Sequence, residues 1–203
     1  PLAYSISGFP VAISVPDDYP TIQEAIEAAG SGGIIEVGPG TYNEAIVFDN
    51  LTDVTLRSTE GPHRTTIQGT AQNPVVMLYG GSGLIEGFTI RNGGGVGGYG
   101  GGGVFFWGAD FDINDCIIRN NTVSTRGGGI FLLGSTGDFN SVLISDNLAG
   151  MVGGGVYSYS SDTTFEDCEF IGNISITNGG GMYLHGQDTD HFSNASFIRT
   201  DFL

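Results

Sequence analysis

The sequence predicts an all-β solenoid, in which one chain winds through stacked coils of short parallel strands. Glycine accounts for 36 of the 203 residues and recurs in triplets. The aromatic residues that follow these triplets recur every 26 residues, at Phe105, Phe131, Tyr157 and Tyr183. Between the glycines, apolar and polar residues alternate in short runs, a pattern typical of strands. A repeat in the twenties built from such runs indicates one stack of β-coils.

Equivalent residues of successive coils would lie over one another and form files along the stack. Because residues i and i+2 of a strand face the same side, we expect four inward-facing apolar files. These files are Val104, Ile130, Val156 and Met182; Ile113, Phe139, Phe165 and Phe192; Phe88, Cys116, Val142, Cys168 and Ala195; and Ile90, Ile118, Ile144, Phe170 and Phe197. The two cysteines are two coils apart, a spacing of roughly 9–10 Å that is too long for a disulfide.

The glycine triplets are predicted to be corners between two faces of a coil. Glycine suits such corners because it adopts positive φ without steric cost and lets neighbouring backbones approach closely. Asparagine recurs with the same period upstream of the triplets, at Asn121, Asn147 and Asn173. We therefore expect residues 88–203 to form regular coils of about 26 residues.

The first third of the chain begins with a predicted helical cap. The segment PTIQEAIEAAG predicts a short amphipathic helix over residues 21–30. Thr21 is its expected N-cap, Glu24 completes a capping box and Gly30 ends the helix. Such a helix would cover the first coil and protect its strand edge. The predicted organisation is an extension, residues 1–14, followed by one β-helix of about seven coils, residues 15–203.

The segment VPDDYPTIQEAIEAAGSGGIIEVGPGTYNEAIVF resembles the opening of the pectin-lyase-like, right-handed parallel β-helix superfamily. The downstream units GGGIF…ISDN and GGGVY…FIGN are similar to the glycine-rich and FxxN repeats of polymorphic outer-membrane proteins and related secreted adhesins. Together the resemblances cover nearly the whole chain from about Val15. They imply a right-handed parallel β-helix. The superfamily includes lyases, hydrolases, epimerases, adhesins and structural proteins, so this fold does not by itself imply an activity.

The composition argues against two classes of partner. The chain has 22 acidic residues, six arginines and no lysine, which gives a formal charge of −16. A field of this sign repels nucleic acids and anionic lipids, and no apolar run approaches the ~20 residues that span a bilayer. Four Asn-x-Ser/Thr sequons, at Asn50, Asn120, Asn173 and Asn194, favour an extracellular or cell-surface location. We expect a second copy of the chain, bound end to end or laterally, or an extracellular glycan as the partner.

An outward-facing set of aromatic residues is the first candidate binding site. If Ile130 and Val156 face inward, the residues next to them in the chain face outward on the same strands. The expected outer face comprises Phe105, Phe131, Tyr157, Tyr183, Trp107 and Tyr159. Exposed apolar patches mark interaction sites, and stacked rings suit sugars or a protein partner. The alternative is that the rings shield one another or that the segment 1–14 lies across them.

A group of aspartates is the second candidate site. Asp110, Asp112, Asp138 and Asp162 would lie on the outer surface of successive coils. Carboxylates at such short spacing repel one another, and Ca²⁺ would relieve the repulsion. The resemblance implies a similar use, since polysaccharide lyases of this superfamily hold uronates through calcium-binding acidic clusters. The alternative is a solvated acidic face at a turn.

No catalytic constellation is predicted. The sequence has no G-x-S-x-G elbow, and no GK[ST] follows the glycine tract 93–103. It also has no lysine for the Arg-x-Lys segment that a likeness to polygalacturonase-type hydrolases would imply. We therefore expect a non-enzymatic protein for adhesion or structural self-assembly. The alternative is a Ca²⁺-dependent polysaccharide lyase or another carbohydrate-active enzyme.

The C-terminal segment ASFIRTDFL is the third candidate site. It supplies one further predicted strand without a following cap, and an open end of a β-solenoid is a template for strand pairing. Phe197, Phe202 and Leu203 would form an assembly surface, on which copies stack head to tail into a filament. The alternative is that the sequence is a piece of a longer protein.

Overall fold

The computed structural model describes residues 12–95, 98–186 and 193–203. Within these ranges the chain forms a parallel β-helix of about seven coils. The elements, in chain order, are β1 (Ile13–Val15), α1 (Ile22–Ala29), β2 (Ile34–Val37), β3 (Gly40–Tyr42), β4 (Ile46–Asp49), β5 (Val54–Ser58), β6 (Thr65–Gln68), β7 (Val76–Tyr79), β8 (Ser82–Glu86), β9 (Thr89–Arg91), β10 (Val104–Trp107), β11 (Asp110–Asn114), β12 (Ile117–Arg119), β13 (Thr122–Val123), β14 (Ile130–Leu133), β15 (Thr136–Asn140), β16 (Leu143–Ser145), β17 (Leu148–Ala149), β18 (Val156–Tyr159), β19 (Asp162–Glu166), β20 (Glu169–Ile171), β21 (Ile174–Ser175), β22 (Met182–His185), β23 (Asn194–Ile198) and β24 (Asp201–Phe202).

The strands form four parallel sheets that run along the stack. The eight-stranded sheet has the order β1-β2-β5-β8-β11-β15-β19-β23, and the six-stranded sheet has the order β22-β18-β14-β10-β7-β4. The seven-stranded sheet has the order β24-β20-β16-β12-β9-β6-β3, and a small three-stranded sheet has the order β13-β17-β21. Each strand therefore pairs with its equivalent one coil away, which confirms the predicted solenoid.

The interior is the stack of apolar files that the alternation predicts. Ile130 pairs in register with Val104 and Val156, and all three side chains are fully buried. Phe139 and Phe165 stack with ring centroids 4.7 Å apart inside the solenoid. A shift of one residue in any strand would turn its apolar set outward. The burial of these files is therefore what holds the register.

The predicted register is wrong in the last coil. Phe197 pairs with Phe165, Ala195 pairs with Thr163, and Phe202 pairs with Phe170. ASFIRTDFL thus contributes two strands rather than one, and Phe192 lies outside the described residues. The sequence "SFIR" resembles the earlier strand ending "EFIG", and this local likeness suggested the wrong alignment. The pairing partners lie 32 residues apart here, so this circuit is longer than the regular one.

The glycine corners work in the two ways that the sequence predicts. Gly153, the first residue of its triplet, has a φ of +67°, which is costly for any residue with a Cβ. Gly154 follows it, and a Cβ there would lie 2.5 Å from the carbonyl oxygen of Gly180 in the next coil. The first glycine therefore turns the chain, and the second allows two coils to pack at backbone distance.

Helix α1 closes the first coil. The Thr21 hydroxyl accepts a hydrogen bond from the Glu24 amide at 3.2 Å, and Gly30 ends the helix with a φ of +63°. Ile22, Ala25 and Ile26 are buried against the solenoid, which confirms the predicted capping helix. Of the predicted extension, residues 13 and 14 already belong to β1. No helix in the described ranges has the length and hydropathy required to cross a membrane.

The recurring asparagines form a buried ladder that the sequence analysis did not predict. Asn147 donates from Nδ2 to the Ile118 carbonyl at 2.9 Å and to Asn173 Oδ1 at 3.0 Å. Its own Oδ1 accepts from the backbone amide of Asn121 at 3.1 Å and from Asn121 Nδ2 at 3.0 Å. Each asparagine thus satisfies backbone groups at a corner and bonds the next coil.

Both cysteines are free and buried, as the file assignment predicts. Burial raises the pKa of the Cys116 thiol to about 12. A thiol with such a pKa is protonated at neutral pH and therefore unreactive. Both cysteines act as small apolar residues of the core.

Candidate functional site

The predicted outward aromatic file exists as a stack of rings on the six-stranded sheet. Phe105 pairs in register with Phe131, which pairs with Tyr157, and Tyr157 pairs with Tyr183. The ring centroids are 5.4 Å apart for the first pair, 5.0 Å for the second and 5.9 Å for the third. The expected one-coil spacing of these side chains is confirmed.

The expected exposure of this file to water is wrong for three of its members. Phe105, Phe131 and Tyr157 are buried, in an apolar cluster separate from the main core. They are covered because the corner segment with Tyr99 folds over the outside of the sheet, with the Tyr99 ring 6.3 Å from Phe105 and 5.9 Å from Phe131. The loop residue Val152 packs against the same cluster. The shielding alternative therefore applies to this part of the face.

Tyr157 shows the effect of this covering on its hydroxyl group. Burial raises its pKa above the usual tyrosine range, and the nearby Arg126 guanidinium, 5.7 Å from the ring centroid, opposes the shift. The hydroxyl lies 3.1 Å from Nδ1 of His185. Tyr183 and Tyr159 remain half-buried at the end of the face. Tyr159 packs edge-on against His185 at 5.2 Å.

A smaller group of rings is accessible at the edge of this cluster, and we call it the ring ledge: Tyr79, Tyr99 and Trp107. Trp107 is 47% exposed and Tyr99 is 41% exposed. Their centroids lie 5.8 Å apart, and Tyr79 lies 6.4 Å from Trp107. Tyr99 was missed by the sequence analysis because it precedes the repeat pattern and lies in the irregular glycine tract.

The predicted aspartates lie on the outer face of the eight-stranded sheet, but they do not converge on a metal site. Asp110 accepts a hydrogen bond from the Thr136 hydroxyl at 2.7 Å, and Asp112 accepts one from the Asp138 backbone amide at 2.8 Å. Asp162 accepts from Asn194 Nδ2 at 2.8 Å. Within the described residues, no three acidic, histidine or cysteine side chains are placed to hold a metal ion. Each of these carboxylates therefore accepts its own hydrogen bond from the next coil, and the predicted Ca²⁺ cluster is not assembled.

A groove on the outside of the seven-stranded sheet was not predicted as a site. Arg91 on β9 and Arg119 on β12 lie in register on neighbouring strands. Arg119, but not Arg91, lines a groove with a volume of about 440 Å³. Its lining includes His63, Thr66, Arg119, Ser145 and Asp146. We call this the arginine groove.

The last coil presents an apolar end surface, formed by Leu184, Phe197, Ile198, Phe202 and Leu203. Phe197 is 43% exposed and Phe202 is 50% exposed, although both continue inward-facing files. Their equivalents one coil earlier, Phe165 and Phe170, are buried. The three larger sheets end in β22, β23 and β24 of this coil, and the three-stranded sheet ends in β21. The structure therefore places the three predicted assembly residues together.

Comparison with known proteins identifies the fold. The family described as "right handed beta helix region" matches residues 38–201. Comparison with curated protein sequences gives no significant match.

Two similar solved structures are forms of a pectin methylesterase from Aspergillus niger. The deglycosylated form has 15% identity and a TM-score of 0.49, and the match covers 98% of this chain and 87% of that one. The form with an N-acetylglucosamine stub has 14% identity and a TM-score of 0.50 over the same shares of the two chains. At this identity the likeness concerns the fold and carries no information about activity.

Proposed function

We propose that this chain, which belongs to the right-handed β-helix family, is a non-enzymatic structural protein that associates with a second copy through its end surface. The observation that carries the proposal is the exposure of Phe197 and Phe202, whose partners one coil earlier, Phe165 and Phe170, are interior. Burying a phenylalanine, leucine or isoleucine side chain contributes about 1.5–3 kcal/mol. An end surface with five such residues favours association.

The occupant that fits this surface best is another coil end with the same cross-section. The strands β22, β23 and β24 are terminal in three of the sheets, and their edges present backbone N–H and C=O groups. Such edges template the addition of further strands. A second copy of this chain offers both the backbone edges and the apolar interior, with matching spacing.

The head-to-tail filament predicted from the sequence is not the geometry we propose. In that arrangement the next copy would stack on the first coil, but α1 already buries Ile22, Ala25 and Ile26 against it. Within the described residues, the last coil exposes Phe197 and Phe202. Two such ends meeting about a two-fold axis form a closed dimer.

Charge opposes this association and makes it dependent on salt. The chain carries a formal charge of −16, and Glu169 and Asp201 are exposed on β20 and β24, the last two strands of the seven-stranded sheet. Screening by salt shortens the range of this repulsion to about 8 Å at physiological ionic strength. We therefore expect the dimer to strengthen as salt is added.

We propose an extracellular or cell-surface location for this assembly. Three of the four sequon asparagines, Asn50, Asn120 and Asn194, are exposed and so accessible to modification. Asn173 differs, because its side chain amide belongs to the buried ladder.

Substitution of Leu203 by glutamate tests the dimer. Leu203 is 80% exposed, so the change leaves the monomer folded while it places a charge in the proposed interface. We expect the dimer Kd to rise by at least about 10-fold, which corresponds to loss of one buried leucine. Sedimentation equilibrium over a range of protein and salt concentrations measures this Kd.

Met151→Glu is the matched control, because Met151 is 42% exposed and is not one of the five residues of the end surface. This variant should dimerise like the unmodified chain. A chain that stays monomeric at all salt concentrations would refute the proposal, as would equal effects of the two substitutions. Growth into filaments would support the head-to-tail geometry instead.

A second candidate function, adhesion to a neutral glycan, is favoured by the exposure of Trp107 and Tyr99. Rings that are partly fixed by their neighbours form a platform on which the apolar face of a sugar can stack. The overall negative charge of the chain does not repel a neutral ligand. The ring ledge is therefore the part of the predicted aromatic face to which we assign this role.

We expect the unmodified chain to bind neutral oligosaccharides on an array. Trp107→Ala should abolish this binding. The change removes a side chain that is half exposed, so the fold should persist by circular dichroism. Met151→Ala, a change at an apolar residue of similar exposure, should retain binding. Binding that survives Trp107→Ala would contradict the ledge, and cleavage of a bound glycan would favour the carbohydrate-active alternative.

A further inference from the structure

We propose that the arginine groove binds a small oxyanion, a phosphate, sulfate or carboxylate group, held by Arg119 and Arg91. This inference is independent of the end surface and of the ring ledge. Three observations carry it: two adjacent arginines that have no acidic partner among the described residues, a buried donor of Arg91 that has no acceptor there, and the groove that Arg119 lines.

Four of the six arginines have a partner in the structure. Arg57 forms an ion pair with Glu36 at 2.6 Å, and Arg64 forms one with Glu60 at 3.3 Å. Arg199 bonds Glu166 and Asp167, each at 2.6 Å, and Arg126 lies over the Tyr157 ring. Among the described residues, Arg91 and Arg119 have no ion pair, in a chain with 22 acidic residues. Although acidic residues are abundant, the two arginines that lie next to each other have no ion pair among the described residues.

The register places these two arginines side by side. Arg91 and Arg119 are Cα partners, and the neighbouring Ile90 and Ile118 are partners that point into the core. Both arginines therefore project from the outer face, on strands about 4.8 Å apart. Like charges directly opposite each other on a sheet are destabilising. An anion between them would turn this repulsion into attraction.

Arg91 also has an unsatisfied donor. Its Nε–H is buried and has no hydrogen-bond partner in the described structure. A buried donor without a partner carries a desolvation penalty, and each such group in a folded protein calls for an explanation. An oxyanion bound between the two guanidinium groups would offer acceptor oxygens to Arg91.

The groove supplies the remaining contacts and limits the ligand. Its volume of about 440 Å³ lies in the lower part of the range for small-molecule sites. His63 and Ser145 line it together with Arg119 and can donate to an anion, whereas the Asp146 carboxylate lines the same groove and opposes added negative charge. Because the net charge of −16 opposes anions at long range, binding must come from direct contacts. The site therefore fits one small oxyanion group.

The test is isothermal titration calorimetry with inorganic phosphate, inorganic sulfate and acetate, each at the same ionic strength. We expect saturable binding of at least one of the three, and the ranking identifies which oxyanion the site takes. Arg119→Gln should weaken binding by about 10-fold or more, since a charge-assisted hydrogen bond contributes about that factor. Arg126→Gln removes the same charge from another face and should leave the affinity within about 2-fold.

A second readout separates a binding role from a structural one. Without ligand, Arg119→Gln relieves the repulsion in the pair, so its melting temperature should equal or exceed that of the unmodified chain. Added oxyanion should raise the melting temperature of the unmodified chain and not that of Arg119→Gln. The proposal is overturned if none of the three anions binds, if both variants lose affinity equally, or if Arg119→Gln destabilises the protein without ligand.

Discussion

Replacing Asn147 by alanine is expected to lower the free energy of unfolding by about 3–5 kcal/mol, since several buried polar groups lose their partners at once. The side chain makes four hydrogen bonds with the coils on either side, all between 2.9 and 3.1 Å. Its removal leaves the Ile118 carbonyl and the Asn121 amide without those partners in a buried corner. The measurement is urea unfolding followed by circular dichroism.

Asn140→Ala is the matched control for this prediction. Asn140 also bonds an asparagine one coil away, Asn114, but through a single 3.3 Å bond in a partly exposed position. We expect this variant to lose less than about 1 kcal/mol, as is usual for such surface bonds. Similar losses for the two variants would show that the buried ladder is not what joins the coils at this corner.

Replacing Gly154 by alanine is expected to destabilise the protein by at least about 3 kcal/mol, because an added methyl group overlaps a rigid backbone. The new Cβ would lie 2.5 Å from the Gly180 oxygen and 2.5 Å from the Ile174 carbonyl carbon. Neither atom belongs to a flexible side chain, so two coils must separate to admit it. Thermal and urea unfolding of the purified variant measure the change in the free energy of unfolding.

Gly134→Ala separates this clash from the cost of backbone conformation. Gly134 has a φ of +54°, and a Cβ there would meet no atom within 4 Å. Alanine at this position should cost only about 1–2 kcal/mol, the penalty of the left-handed region. If Gly154→Ala proved no more destabilising than Gly134→Ala, close approach of the coils would not be the reason for the glycine triplets.

The sequence alone was sufficient to predict the stacking of Ile130 on Val156 and of Phe131 on Tyr157. In a solenoid every coil meets the same environment as the coil before it, so a periodic sequence contains the pairing directly. The same logic failed in the last coil, where the circuit is longer and Phe197 lies over Phe165 instead of Phe170. A sequence repeat predicts the register of the strands only while every coil has the same number of residues.

The candidate sites depended more on contacts between parts of the chain that do not repeat. The alternation predicted that Phe105 and Phe131 face outward, but Tyr99, from an irregular corner segment, covers them. The spacing predicted neighbouring aspartates, but hydrogen bonds from Thr136 and from the Asp138 amide hold Asp110 and Asp112 separately. Neither the covering by Tyr99 nor these hydrogen bonds produce a periodic pattern in the sequence.

The sequence by itself determined the fold and the side to which the strand residues of the regular coils point. Only the tertiary structure decided which outward residues meet water, which charges form ion pairs and how α1 covers the first coil. The physical reason is that direction and height follow from the backbone repeat of a strand and of a coil. Exposure and charge pairing depend on loops and caps whose positions no repeat specifies.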